Sequence, residues 1–138
     1  MANKTLRFIS SKMKELDICM MSTVGSRGAI HTRPMSNNKD VKYNGESFFF
    51  SDMDSRKAKD IQRNAAVTLS FEGKKGLFII VAGKARIIKT KTILEEHWVP
   101  SLQMWFKKGF DTPGLILIAV KAEQIHYWDH YKEGDIDI

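Results

Sequence analysis

Two short segments carry residue types that could bind a charged ligand. In the first, Phe48-Phe49-Phe50-Ser51 is followed by Asp52-Met53-Asp54 and then by Ser55-Arg56-Lys57-Ala58-Lys59-Asp60-Ile61. This order predicts a buried strand, an acidic turn and a helix that opens with two cations. A helix N-terminus is already partly positive, so Arg56 and Lys57 should each cost the isolated helix about a few tenths of a kcal/mol. An anion would reverse that sign, because free backbone N–H groups, the Ser55 hydroxyl and two cations together form a phosphate cradle. The alternative is a solvated basic helix whose cations pair with Asp52, Asp54 and Asp60. On this stretch alone both readings stand.

The second segment is Thr32-Arg33-Pro34-Met35-Ser36, at the end of a strand predicted over 29–37. Proline cannot donate to a sheet ladder, so the strand must be an edge or be bulged there. Such a break frees backbone groups for a ligand, and Arg33 adds a planar donor fork suited to a phosphate or a carbonyl edge. The plainer reading has Arg33 as a surface cation and Pro34 as the guard of a sheet edge. His31 shares a strand face with Arg33 by period two. It is read as structural or exposed, with proton donation as the alternative.

Other reactive residues point away from metal or thiol chemistry. Cys19 lies between Ile18 and Met20 and reads as a core residue, and no Cys-x-x-Cys pattern is present. His126 and His130 are four apart, but on a strand that is about 13 Å, too far for one ion. No metal site is expected.

The elements that must position these groups follow from pattern and size. At 138 residues and 43% hydrophobic content the chain is long enough to bury a core, and one domain over 1–138 is expected. Its apolar runs fall well short of the roughly 20 residues that span a bilayer. No signal-peptide core follows Met1, so a soluble, cytoplasmic protein is predicted. Subtracting 16 acids from 22 bases leaves +6, which permits nucleic acid without requiring it.

Leu6, Ile9, Met13 and Leu16 recur at helical spacing and predict an N-terminal amphipathic brace. A hairpin follows around Gly25 to Gly28, then a turn at Asn44-Gly45, the phenylalanine strand and the cationic helix, with Asn64 as a left-handed cap. A strand over 65–71 and a long strand over 77–88 come next, with Gly83 marking a bulge or bend. Short helical turns carry Trp98, Trp105 and Phe106. A last strand runs over 115–128, and the acidic tail, about 132–138, is expected to fray. Six antiparallel strands with short helical insertions imply a closed or partly closed β-barrel.

In this order, Arg33-Pro34-Met35, the Phe48 to Ser51 strand and Ser55-Arg56-Lys57-Ala58 resemble the pyridoxamine 5'-phosphate oxidase-like family of FMN-binding split barrels. Gly83-Lys84-Ala85, Trp98-Val99-Pro100, Trp105-Phe106 and Tyr127-Trp128-Asp129 extend the likeness to its general stress protein branch, over roughly residues 5 to 130. The resemblance implies a six-stranded antiparallel split barrel and a homodimer with FMN at the subunit interface. Arg33, Pro34, Met35 and Ser36 would line the isoalloxazine and ribityl side, with Phe50 and Ser51 as the next wall. Ser55, Arg56 and Lys57 would hold the phosphate. Trp105, with Trp98 as a second candidate, would close the flavin from the partner subunit.

Two departures bear on the substrate. The loop Lys107-Lys108-Gly109-Phe110-Asp111-Thr112-Pro113 stands where the branch usually carries a proline after Trp-Phe and a paired Asp before the next proline, and the C-terminal Arg- and His-bearing segment of authentic pyridoxamine phosphate oxidases has no counterpart. The resemblance therefore implies a flavin-dependent oxidoreductase for some other small molecule. NAD(P)H is one candidate donor, although without a Gly-x-Gly-x-x-Gly it would visit without a Rossmann site. Three alternatives remain: a flavin carrier or sensor, a barrel for another phosphorylated planar ligand, and a basic barrel stacking single-stranded nucleic acid on Phe48 to Phe50. Against the last, three consecutive phenylalanines alternate between faces, which suits a two-sided core.

Overall fold

Alternating burial organises the sheet. β1 (Ile18–Val24) turns Cys19, Met21 and Thr23 inward, and β2 (Ile30–Ser36) turns His31, Arg33 and Met35 to the same side. The computed structural model describes residues 5–37 and 43–138. Within it follow β3 (Glu46–Asp52), β4 (Ala66–Glu72), β5 (Leu77–Ile88), β6 (Leu115–Asp129) and β7 (Lys132–Asp137). Three α-helices, α1 (Leu6–Met13), α2 (Arg56–Arg63) and α3 (Lys91–His97), and two 3-10 turns, Pro100–Met104 and Gly109–Asp111, join them. All pairings are antiparallel, in the order β2-β1-β4-β5-β6-β3. β2 and β3 are the ends of this path, and among the described residues no pairing joins them. This is the split barrel expected from the sequence, and Pro34 lies on an edge strand as its missing donor requires. Among the described residues no helix is long and apolar enough to cross a membrane.

Two apolar clusters share β3 and β6. Phe49, Leu69, Ile79, Val81, Ile118 and Ile125 belong to the barrel core, which α1 covers through Ile9 and Met13. On the outer side, Leu94, Leu115 and Leu117 pack with Phe48, Phe50, Trp98 and Phe106 under α3 and the first 3-10 turn. Phe49 therefore faces one cluster while Phe48 and Phe50 face the other, as alternation predicts. Phe48 stacks on His97 at 4.0 Å, and Phe50 meets Trp98 edge-on at 5.3 Å. These rings fill a core and are no base-stacking platform.

Gly83 marks a register shift: Ala82 faces Gln124 and Gly83 faces Ala122, so β6 carries Glu123 as the extra residue. The Lys121 backbone crosses where a Gly83 side chain would start.

Three expectations are corrected. Asn64 is extended, with φ −146°, because β4 begins two residues later. Its side-chain oxygen accepts the Ala66 N–H at 3.0 Å instead of forming a left-handed cap. Where a frayed acidic tail was expected, the chain forms β7, so among the described residues the sheet has seven strands instead of six. β7 pairs with β6, and Ile136 is buried. Gly134 lies so close to Tyr127 that a Cβ there would meet the ring at 2.7 Å.

His126 secures this strand, hydrogen-bonding Asp135 through Nδ1 and Glu133 through Nε2. Both ring nitrogens donate only when the imidazole is protonated. The bond to Asp135 raises the His126 pKa above its ordinary value, with Glu133 adding to it and burial opposing. A raised folded-state pKa contributes stability that is complete below the ordinary histidine value and lost as pH rises through the folded one. Amide exchange in β7, corrected for intrinsic rates, should therefore accelerate relative to β4 as pH rises through that window. His126→Gln should remove the dependence, and a pH-independent β7 in the wild type would disprove the clamp.

Candidate functional site

The acidic turn after β3 sets the start of α2. Ser55 is its N-cap: its hydroxyl accepts the Ala58 N–H at 3.3 Å and donates to the Asp52 carbonyl at 2.7 Å. Ser51, buried at the end of β3, donates to the Ser55 hydroxyl at 3.3 Å. No acid occupies the first turn of the helix, where Arg56 is exposed and Lys57 half-buried. Among the described residues neither cation forms an ion pair.

Asp52 is occupied with the turn, accepting the Asp54 N–H at 2.7 Å. Asp60 faces the barrel at 2% exposure. Of the three carboxylates that could have neutralised the helix start, one caps a turn and one is buried elsewhere. Among the described residues Arg56 and Lys57 thus form no ion pair with these carboxylates, although Arg56 is exposed and the charge of Asp52 still acts on Lys57.

Arg33 joins the group from β2. Its Nη1 donates to the Thr23 hydroxyl at 2.8 Å and to the Met21 carbonyl at 3.2 Å, while Nη2 lies 3.8 Å from Asp60. Burial lowers the pKa of Arg33, with Asp60 opposing and repulsion from Arg56 adding to the fall. Burial likewise lowers Lys57, with repulsion from Arg33 adding and Asp52 opposing. The structure thus draws three cations from two elements close enough to repel, beside two serine hydroxyls and the first N–H groups of α2. Three like charges with only Asp60 paired to one of them, Arg33, are a standing cost, which a multiply charged anion would relieve. This donor set fits a phosphate monoester.

The other sequence-predicted residues divide by strand alternation. Met35 points into the core at 9% exposure, while Pro34 and Ser36 are on the outer face of β2. Ser36 and Phe50 line one small groove of about 140 Å³ together with His97, Val99 and Ser101. Trp98 packs between Phe50 and Phe106 in its own chain, at 5.3 and 6.2 Å. Trp105 follows the first 3-10 turn and is 72% exposed.

Two residues of the site were not singled out as functional in the sequence. Asp60 accepts from Thr23 Oγ1 and from His31 Nδ1, both at 2.8 Å. Burial alone would raise its pKa, but the hydrogen bonds from His31 and Thr23 and the charges of His31 and Arg33 outweigh it and hold it below the usual carboxylate range. Thr23, fully buried, is the second. The signal for both was inward position, Thr23 by strand alternation with Met21 and Asp60 beside the buried Ala58 and Ile61 on α2.

The chain is similar to known proteins at several distances. General stress protein 26 of Bacillus subtilis (strain 168) is 28% identical over 120 residues, covering 83% of this chain and 85% of the relative. A solved structure from Clostridium acetobutylicum, of a protein related to general stress protein 26, matches with a TM-score of 0.82 at 20% identity, covering 95% of this chain and 93% of that one. The pyridoxamine 5'-phosphate oxidase-related, FMN binding protein of Nostoc punctiforme PCC 73102 matches with a TM-score of 0.70 at 13% identity over 100% of this chain and 99% of that one. At such identities the structures establish a common fold. Residues 4–136 match the family described as pyridoxamine 5'-phosphate oxidase like, so nearly the whole chain is accounted for, and the protein belongs to that family.

Proposed function

We propose that this protein binds FMN across β2, the end of β3 and the start of α2, and that it is a flavin-dependent oxidoreductase for a small molecule other than pyridoxamine phosphate. The observation that carries the reading is the cation pair Arg56 and Lys57, without an ion pair among the described residues at the acid-free start of α2, joined by Arg33 from β2. The FMN named for the Nostoc relative supports the choice among phosphate-bearing ligands.

Bound FMN would supply hydride and electron transfer. Ser55 and the first backbone N–H groups of α2 would donate to its phosphate, with Arg56 and Lys57 matching the charge. Arg33 would address the ring side, flanked by backbone groups of Pro34, Met35 and Ser36, while Phe50 and Ser51 form the neighbouring wall. Trp105, exposed on one protomer, would cover the cofactor of its partner in a homodimer. Ile18, Met20 and Ile30, all exposed on the outer face of β1 and β2, supply apolar surface for such an interface. A cytoplasmic setting, with a reduced nicotinamide such as NAD(P)H as one class of donor, completes the reading.

The test is an FMN titration of the purified protein, followed by flavin fluorescence and hydrodynamic size, and then by addition of NAD(P)H with an acceptor. A saturable flavin signal on a dimer with repeated turnover is expected. Reduction that stops at one equivalent for each donor and acceptor tried would leave a carrier or sensor. A protein that ignores FMN would end the proposal.

A further inference from the structure

We propose that Asp60 is the positioning residue of this anion site: from α2 it holds the Arg33 guanidinium of β2 in place through the Thr23 hydroxyl of β1. The inference rests on the FMN reading, but part of its test needs no flavin.

A carboxylate buried to 2% exposure is tolerated only where donors satisfy it. The donors of Asp60 all come from outside its own helix. Thr23 Oγ1 and His31 Nδ1 both reach its Oδ2 at 2.8 Å, and Arg33 Nη2 lies 3.8 Å from the same atom. Asp60 therefore ties α2 to the β1–β2 pair, one helical turn after the cations that start the helix.

The hydrogen-bond directions make Thr23 a relay. A hydroxyl has one proton to give, and here it goes to Asp60. Its lone pairs are left to accept from Arg33 Nη1 at 2.8 Å. The charge on Asp60 sets that direction, and the relay fixes one end of the Arg33 fork. Without it, Arg33 would be held by the Met21 carbonyl at 3.2 Å, against repulsion from Arg56 and Lys57.

Charge bookkeeping and positioning predict opposite signs, which makes the idea decidable. Asp60→Asn removes a negative charge from beside a phosphate site, so simple electrostatics predicts tighter FMN binding. Positioning predicts weaker binding, because the relay loses its charged acceptor and Arg33 its fixed place. The expected loss is about tenfold in Kd, the scale of one hydrogen bond to a charged group.

The experiment measures FMN affinity for the wild type, Asp60→Asn, Arg33→Ala and the double variant. If Asp60 acts through Arg33, its replacement costs about tenfold in the wild-type background and little in Arg33→Ala. Equal losses in both backgrounds, or binding that is unchanged or tighter, would overturn the proposal. Should Asp60→Asn not fold, Thr23→Val interrupts the same relay and should show the same loss and the same non-additivity, while Thr23→Ser should retain affinity. In the flavin-free protein, NMR of the Arg33 Nη–H groups reads the same claim directly. An ordered, slowly exchanging signal should be averaged in Asp60→Asn or Thr23→Val. A wild type that fails to bind FMN but shows this Arg33 behaviour would sink the flavin reading and keep the relay; an Arg33 signal indifferent to both substitutions would sink the relay.

Discussion

Replacing Arg56 and Lys57 together with alanine should weaken FMN binding at least about a hundredfold, since each would give up a charge-assisted hydrogen bond to the phosphate. Riboflavin, which has no phosphate, should bind the double variant about as it binds the wild type. The flavin-free protein should meanwhile become slightly more stable, by about a few tenths of a kcal/mol for each cation removed from the positive end of α2. The cations make no ion pair among the described residues whose loss would offset that gain. Affinity and stability thus move in opposite directions, which a merely structural role for the two residues does not produce. The measurement is a pair of flavin titrations beside a thermal melt. Unchanged FMN affinity would remove the cradle from the function.

The second large effect concerns the longest strand pair. At Gly83 a Cβ would stand 2.9 Å from the Lys121 carbonyl carbon and 3.2 Å from the Ala122 Cα, both backbone atoms that cannot swing away. β5 and β6 pair over almost their whole length and lead toward both the barrel core and the outer cluster. Gly83→Val must therefore shift the bulge itself. The expected cost is about 3 kcal/mol, at the upper end for overpacking, with a fall of roughly 10 °C in Tm. Gly76→Ala makes a useful comparison, because no atom lies within 4 Å of its added methyl and the strain comes from a φ of +77° alone. A Gly83→Val protein melting with the wild type would mean that the bulge relocates freely.

The barrel was legible in the sequence because its signals are local. Period-two burial, the glycine and asparagine turns and the proline on β2 each concern neighbours in the chain. The cationic start of α2 was legible for a related reason: two cations at the positive end of a helix are visible without any tertiary information. Asp60 was not, since a carboxylate on a short polar helix reads as solvated. Its inward role depends on Thr23 and His31, 37 and 29 residues away in sequence. β7 was hidden similarly, because its acids acquire a purpose only opposite His126, and its one glycine only beneath Tyr127. The Asn64 cap failed because a cap preference yields to a strand that starts two residues on. Trp105 acquires its proposed role only in a second copy of the chain.

Among the described residues β2 and β3 end the sheet path without pairing to each other, and the candidate site draws on both. A ligand that grips residues of both strands would act as a rivet across a joint that the backbone leaves open. Binding of that kind adds its free energy to folding by mass action. The lifetime of the protein in a cell would then follow the local flavin supply, with the unriveted form the one offered to proteases.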